Sequence, residues 1–348
     1  MRVDVSHRNI NLRRPRGTES ALGETMKILF KLTAVAALGL AFANAHAEPN
    51  KYPSRQVTIV VPFSPGGGTD TTTRLLAQKL SDLWGQSVVV ENKSGAAGTI
   101  GAAQVARAKP DGYTLMMGNI GTQSINPSLY TLPYDPKTAF APITQVVELP
   151  LILVVNSKSG IGSVKDLIDV AKKRPGELFF SSSGAGSSMQ LAAEAFQQAA
   201  DVKMTHVPFA GEGPAVTNLI GGQVNVTFGT VMGSGPFVKQ GALKGLGVTS
   251  AKRYPTFADL PTISESGLEG YNSVSWVGLV APAGTPKAIV DKVSQDVKAV
   301  LADTKFSEQL ISQGGLPIGS SPEEFTKKIN DDFLVYNKII KANNIAIK

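Results

Sequence analysis

The chain has 348 residues, 42% of them hydrophobic and 18% charged, with 34 Lys/Arg against 27 Asp/Glu. This is globular composition, long enough for two domains of about 150 residues each, and it argues against a disordered chain. Cysteine is absent, which excludes a disulfide framework and a thiolate metal site.

Residues 1–25 are polar and Arg-rich, and they end at a second methionine, Met26. They read as an upstream extension from a misassigned start. The pair Arg13 and Arg14 lies too far from the apolar segment to read as a twin-arginine export signal. Residues 26–47 carry Lys27 and Lys31, an apolar run from Leu32 to Phe42, and the small-x-small end Ala45, His46, Ala47. That pattern is a secretory signal peptide, with cleavage expected before Glu48. A membrane anchor fits less well, because the run falls short of the roughly 20 residues needed to span a bilayer. Without residues 1–47, which hold seven Lys/Arg and three Asp/Glu, the chain keeps 27 basic and 24 acidic residues. Its net charge drops from +7 to +3. No basic run or aromatic-interleaved patch remains, so no nucleic-acid partner is expected.

The mature chain then alternates strand and helix signals. Val57 to Val61 reads as a buried strand, Asp70 to Trp84 as a helix with the apolar stripe Leu75, Leu76, Leu80 and Leu83, and Ser87 to Glu91 as a strand. A glycine loop, Ser94 to Gly101, runs into a small-residue helix. Thr114 to Gly118 is another strand, and Gly121 to Tyr130 a loop. This βαβαβ order implies a parallel sheet covered by helices. Glu148 to Asn156 is a long apolar run suited to crossing between domains. Ser163 to Asp166 resembles a capping box opening a helix that ends before Pro175. Strands are expected at Leu178 to Ser181, Lys203 to Pro208, Val224 to Phe228 and Leu243 to Thr249. Helices are expected from Ser188 to Ala200 and after Pro214. Ser273 to Ala281 reads as the return crossing, followed by helices over Pro286 to Leu301 and Pro322 to Asn343. The expectation is an α/β fold in which residues 48–150 with 273–348 form one domain and 151–272 the other. Two crossing strands would make the hinge, with a cleft at the strands' C-terminal ends.

Catalytic signatures are missing. His206 is the single histidine outside residues 1–47, and a lone strand histidine is more often structural than catalytic. There is no G-x-S-x-G elbow, no H-E-x-x-H and no EF-hand pattern. Gly66 to Asp70 is not followed by G-K-[ST], and Gly184 to Gly186 lacks the third glycine of a dinucleotide fingerprint. No catalytic residue, metal or cofactor is expected. What remains is a set of glycine-rich turns at helix starts, above all the strand, loop and helix unit of Thr58 to Leu76. Such units aim backbone N–H groups and the positive end of a helix dipole at one point, which suits an anion. The loops Phe63 to Thr69, Gly95 to Thr99, Thr122 with Gln123, and Ser181 to Ser188 hold no Lys or Arg. They offer hydroxyls, amides and backbone donors instead. Asp70 reads either as a dipole partner of its own helix or as a contact for an amino group on a ligand.

Several stretches, in order, resemble one family. They are PFSPGGGTD at 62–70, ENKSGAAGTIGAAQVARAKPDGYTLMMG at 91–118, FSSSGAGSSMQLAAEAF at 180–196, HVPFAGEGPAVTNLIGGQV at 206–224, and LPTISESG with WVGLVAPAGTP within 260–286. The chain resembles the Bug family, periplasmic solute-binding receptors of tripartite tricarboxylate transporters, over essentially all of its mature length. The resemblance implies a type II periplasmic-binding-protein fold, a monomer in the periplasm. It would close without catalysis on a small carboxylate such as an organic acid, an acidic amino acid or an aromatic carboxylate. The implied partners are the membrane permease subunits of such a transporter or, alternatively, a two-component sensor kinase. The ligand-binding set expected on this basis is Phe63, Ser64, Gly67, Gly68, Asp70, Ala97, Gly98, Thr99, Thr122, Gln123, Ser182, Ser183, Gly186, Ser187, Gln190 and Phe209. Position 190 departs from the family, which commonly has histidine there. Gln190 keeps hydrogen bonding but cannot become cationic.

Overall fold

Apolar runs, β-branched in the first two, form three strands, β1 (Val57–Val61), β2 (Val88–Asn92) and β3 (Thr114–Asn119). They belong to a computed structural model that describes residues 52–342. The expected signal peptide and the stretch before it lie outside the described residues. The three strands pair in parallel with β1 in the middle, because α1 (Gly68–Trp84) and α2 (Thr99–Ala106) carry the chain back over the sheet between them. Leu76 and Leu80 of α1 are fully buried, whereas Leu83 of the expected stripe is 52% exposed. The helix stops there, at Gly85, whose φ of 62° makes the left-handed cap.

The strand expected at Glu148 to Asn156 is longer, running over β4 (Phe140–Asn156). Its first half pairs antiparallel with β9 (Val274–Pro282), and its second half with β7 (Val226–Thr230) and β8 (Leu243–Val248). Beyond β7 lie β5 (Phe179–Ser182) and β6 (Thr205–Pro208), parallel to each other, with β5 parallel to β7. The order β2-β1-β3-β9-β4-β7-β5-β6 is therefore one continuous path through a ten-stranded sheet, with β8 and β10 (Leu316–Pro317) pairing onto β4. β4 serves both halves. The chain returns to the first half at β9, which pairs with β3 and with the first half of β4. The link is local, the Ser273 N–H donating to the Thr249 carbonyl at 2.9 Å and the Thr249 hydroxyl to the Ser273 carbonyl at 2.5 Å.

The remaining helices are α3 (Asn126–Leu129), α4 (Val164–Lys173), α5 (Ser188–Ala200), α6 (Glu212–Ile220), α7 (Val231–Lys239), α8 (Lys287–Ala302), α9 (Thr304–Gln313) and α10 (Pro322–Ala342). Ser163 caps α4 as expected, its Oγ accepting the Asp166 N–H at 3.1 Å. The segment expected as a loop from Gly121 is helical, a wide turn over Gly121–Ile125 leading into α3. Two helices went unforeseen. In α7, Gly233, Gly235 and Pro236 read as breakers, yet the Thr230 side chain accepts the Gly233 N–H and caps it. In α9, the Asp303 side chain accepts the Phe306 N–H and Gly314 ends the helix.

Each half of the sheet has its own core. One contains Ile59, Leu80, Leu115, Leu279 and Val293, and the other Leu153, Phe180, Phe196, Phe228 and Tyr271. α10 lies over the first half. Phe325 meets Trp276 edge to face at 5.2 Å between ring centroids, and the Trp276 indole N–H donates to Asp332 at 2.7 Å. Among the described residues no helix is long and apolar enough to cross a membrane.

Phe325 is 0% exposed, so Phe325→Ala leaves a cavity costing about 3–5 kcal/mol of folding stability. Urea unfolding checks this as a lower midpoint at unchanged slope.

Candidate functional site

Loops leaving the C-terminal ends of β1, β2, β3, β5, β6 and β7 meet between the two lobes, because each set of strands is parallel and points its ends at the other. They enclose a space of about 20 Å³ lined by Phe63, Ser64, Gly67, Gly68, Thr69, Asp70, Asn119, Leu149, Ser183, Ser188, Met189, Glu212, Thr230 and Ser275. Of the expected site residues, Phe63, Ser64, Gly67, Gly68, Asp70 and Ser183 are in this lining. No Lys or Arg is. Its two charged side chains are both carboxylates.

The glycine loop before α1 is tied down by the protein itself. The Ser64 N–H and hydroxyl both approach the Ala210 carbonyl, at 3.1 and 3.2 Å. Asp70, 4% exposed, accepts from the Gly66 N–H at 3.0 Å, from Arg74 Nε at 3.1 Å and from Asn92 Nδ2 at 2.9 Å. Burial alone would raise its carboxyl, but the Arg74, Asn92 and Gly66 hydrogen bonds outweigh that and hold it below the usual carboxylate range. Its oxygens thus serve its own loop, the dipole-partner geometry of the two read from sequence.

Glu212 reaches the same loop from the other lobe. Its Oε2 accepts from the Gly68 N–H at 3.0 Å and the Thr230 hydroxyl at 2.8 Å. Its Oε1 accepts from the Thr230 N–H at 2.6 Å and the Ser234 hydroxyl at 3.1 Å. Gly68 opens α1, Thr230 caps α7, and Glu212 itself opens α6. Three helix N-termini therefore converge on one carboxylate. Burial pushes this carboxyl above the usual carboxylate range, outweighing the Gly68, Thr230 and Ser234 donors that lower it. Side chains at Gly229 or Gly233 would collide with it. Glu212, Thr230, Asn119, Leu149, Met189 and Ser275 were not foreseen as lining. The legible signal was Glu212, a lone acid in the first turn of a helix behind a glycine.

On the facing side, α5 begins at Ser188 with Ser187 as its cap, Ser187 Oγ accepting the Gln190 N–H at 3.3 Å. The Gln190 side chain turns back, its Oε1 accepting the Gly186 N–H at 2.6 Å, so Gln190, Gly186 and Ser187 shape the loop from outside the lining. Among the described residues no hydrogen bond reaches the N–H groups of Ser188 and Met189, the first two of the helix, and both residues line the space.

The other expected residues form a seam beside it. Asn126 Nδ2 donates to the Ala97 carbonyl at 2.9 Å, the Tyr130 hydroxyl donates to the Ala185 carbonyl, and a Cβ on Gly184 would stand 3.0 Å from Ala97 Cα. Gly98 is pressed between Thr122 and Phe63. Thr99 donates to the Ala96 carbonyl at 2.8 Å, and Thr122 exchanges hydrogen bonds with Asn119. Gln123 is buried, its Nε2 without a partner among the described residues. Phe209 packs into the second lobe, its N–H on the Ser182 carbonyl at 3.0 Å. Ser182 Oγ lies 2.6 Å from His206 Nε2, and the His206 ring stacks on Phe180 at 4.9 Å. Burial pushes His206 down to about 4. It is thus a neutral strut for the Ser182 loop. Among the described residues no group of His, Asp and Glu is arranged to hold a metal ion.

Two α/β lobes hinged on a shared strand, with loops closing on a small polar space, define a type II periplasmic-binding-protein fold. The chain belongs to the tripartite tricarboxylate transporter receptor family, whose model matches residues 72–345. Protein BugT of Bordetella pertussis (strain Tohama I) is 31% identical over 325 residues, covering 91% of this chain and 99% of that protein. Rpa4515 of R. palustris, solved with adipate, is 39% identical with a TM-score of 0.83, over 85% of this chain and 99% of that one. MatC from Rhodopseudomonas palustris, solved with bound malate, is 31% identical with a TM-score of 0.79, over 83% and 100%. Proteins of this family are periplasmic solute-binding receptors, some with carboxylate ligands.

His206 supplies the test of its own role. Its folded pKa of about 4 lies below the ordinary histidine value of 6.5, so the neutral form is the folded one. Stability tied to it is complete above pH 6.5 and is lost as pH falls toward 4. Titration of its ring by NMR should show a midpoint near 4, and His206→Gln should flatten the stability curve across that window.

Proposed function

We propose that the mature chain captures a small carboxylate in the space between its lobes and hands it to the membrane permease subunits of a tripartite tricarboxylate-type transporter. The observation that carries this reading is the start of α5. There the Ser188 and Met189 N–H groups meet a lining that has hydroxyls from Ser64, Ser183 and Ser275. A carboxylate held there gains charge-assisted hydrogen bonds and the helix dipole without a desolvated ion pair. That is tight enough for capture and weak enough for release. The adipate of Rpa4515 and the malate of MatC support the same ligand class.

On this reading Phe63, Ser64, Gly67, Gly68 and Ser183 form the walls around the solute. Ala97, Gly98, Thr99, Thr122, Gln123, Ser182, Gly186, Ser187, Gln190 and Phe209 set the shape of those walls. Residues 48–150 with 273–348 would move as one body against 151–272. No bond-making step is needed, and the neutral, stacked His206 supports a receptor without catalysis. The solute would be met in the periplasm by a chain beginning at Glu48.

A thermal-shift screen of the protein from Glu48 onward against short mono- and dicarboxylates and their neutral amides tests the reading. At a ligand concentration of about 100 times Kd the expected stabilisation is roughly 2.7 kcal/mol, seen as a higher Tm with a carboxylate and none with the fully amidated analogue. A rise with neutral solutes alone overturns the ligand class. Loss of uptake of the stabilising acid on deletion of the gene tests delivery to a permease, and unchanged uptake overturns it.

A further inference from the structure

We infer that Met189 sets the size of the acid that the space accepts: its side chain is the movable apolar wall, and it yields to a longer solute body until it has no room left to turn. The inference rests on the carboxylate reading above and goes beyond it by naming the residue that chooses among acids.

Met189 stands apart from the apolar residues around it. It is 2% exposed and lines the space, yet it belongs to neither lobe's core. Among the described residues every other buried apolar side chain larger than alanine is part of a hydrophobic core. Its place on α5 accounts for this. Ala192, Ala193, Phe196 and Ala200 form the stripe that α5 packs into the second-lobe core. Met189 precedes Ala192 and Ala193 by one turn and lies on the same face. It therefore carries the stripe past the core to the cleft end of the helix. Side chains on a helix lean toward its N-terminus, so this one leans out over the start of α5, where the carboxylate is proposed to sit.

The other walls are held. The space is about 20 Å³, room for about one water, so a longer solute body has to displace a wall. Gly67 and Gly68 have no side chain to move. Phe63 and Leu149 are packed into the first-lobe core, and Asp70 and Glu212 are fixed by their hydrogen bonds. Met189 has no core packing to give up. Its unbranched, polarizable chain fills irregular gaps and repacks at low cost. An alkyl segment of the solute pressed against Met189, Phe63 and Leu149 leaves water, which adds about fourfold in affinity per CH₂.

Two homologous series, acetate to octanoate and malonate to suberate, are titrated by calorimetry into the mature wild type, Met189→Ala and Met189→Leu. In the wild type affinity should rise by about fourfold per CH₂ and fall once the wall is fully displaced. Met189→Ala removes Cγ, Sδ and Cε, so the best-bound length should move up by about two or three carbons. Met189→Leu, a volume-conserving swap, should keep the wild-type optimum. An unmoved optimum in Met189→Ala overturns the inference while leaving the carboxylate reading intact. So does an equal loss across the whole series, the mark of a merely structural residue. A matching shift in Met189→Leu overturns it too, since volume is then not what selects. If no acid of either series binds, the carboxylate reading itself has failed and this inference with it. Where Met189→Ala does not fold, ¹³C-methyl methionine spectra of the wild type decide. The Met189 methyl signal, assigned by its loss in Met189→Leu, should move stepwise with the length of the bound acid, while those of the core residues Met116 and Met204 stay in place. A Met189 signal indifferent to length overturns the inference.

Discussion

One strand belongs to both lobes, and the site follows from that constraint. β4 gives its first half to β9 and its second half to β7 and β8, so the sheet passes from lobe to lobe without a break in hydrogen bonding. The point of transfer, Leu149 to Leu151, is also the floor of the cleft. Leu149 lines the space, and Leu151 pairs with Thr230, which in turn holds Glu212. On either side of this floor a set of parallel strands ends, and parallel strands send their C-terminal loops and helix starts in one direction. The two sets face each other. A polar space between opposed helix termini is therefore a consequence of topology before any particular side chain is chosen.

The side chains then decide the electrostatics. A site meant to hold an anion permanently would place Arg or Lys against it, at the cost of desolvating both. This one has neither in its lining, and the donors around it are hydroxyls and oriented N–H groups, which are fixed by the fold and need little reorganisation. The acidic side chains present are hydrogen-bonded within the protein: Asp70 with Arg74, Asn92 and the Gly66 N–H, and Glu212 with Gly68, Thr230 and Ser234. Each buried charge has its partners, and leaving either without them would cost several kcal/mol.

Much of the fold was legible because periodicity and punctuation survive in sequence. β1, α1, β3, the Ser163 cap of α4 and the α8 and α10 segments were readable to within a few residues, each being a long apolar pattern ended by glycine, proline or a capping side chain. The misses share a cause. The first half of β4 is buried on both faces for most of its length, so it shows no alternation. α7 contains Gly233, Gly235 and Pro236, and what makes it a helix is the Thr230 cap together with packing of Met232 into the other lobe's core. Leu83 fits the stripe of α1 but stands at its solvent end. Tertiary context decided those places, and a single sequence does not carry it.

At the site, the sequence pointed to the right loops but not to who occupies their donors. Glycine at a helix start signals that something negative approaches the backbone closely, and the PGGG stretch at 65–68 reads that way with good reason. Yet the Gly68 N–H is taken by Glu212, 144 residues further along, contributed by another glycine turn, AGEG, in the other lobe. The two turns are complementary: one has donors and no side chains, the other has one long acid between small residues. Neither half of that pair is informative alone, since each would serve equally well for a solute. The start of α5 differs in just this respect, for its loop is braced from behind by Gln190 and His206, and among the described residues no acid is hydrogen-bonded to its first two N–H groups.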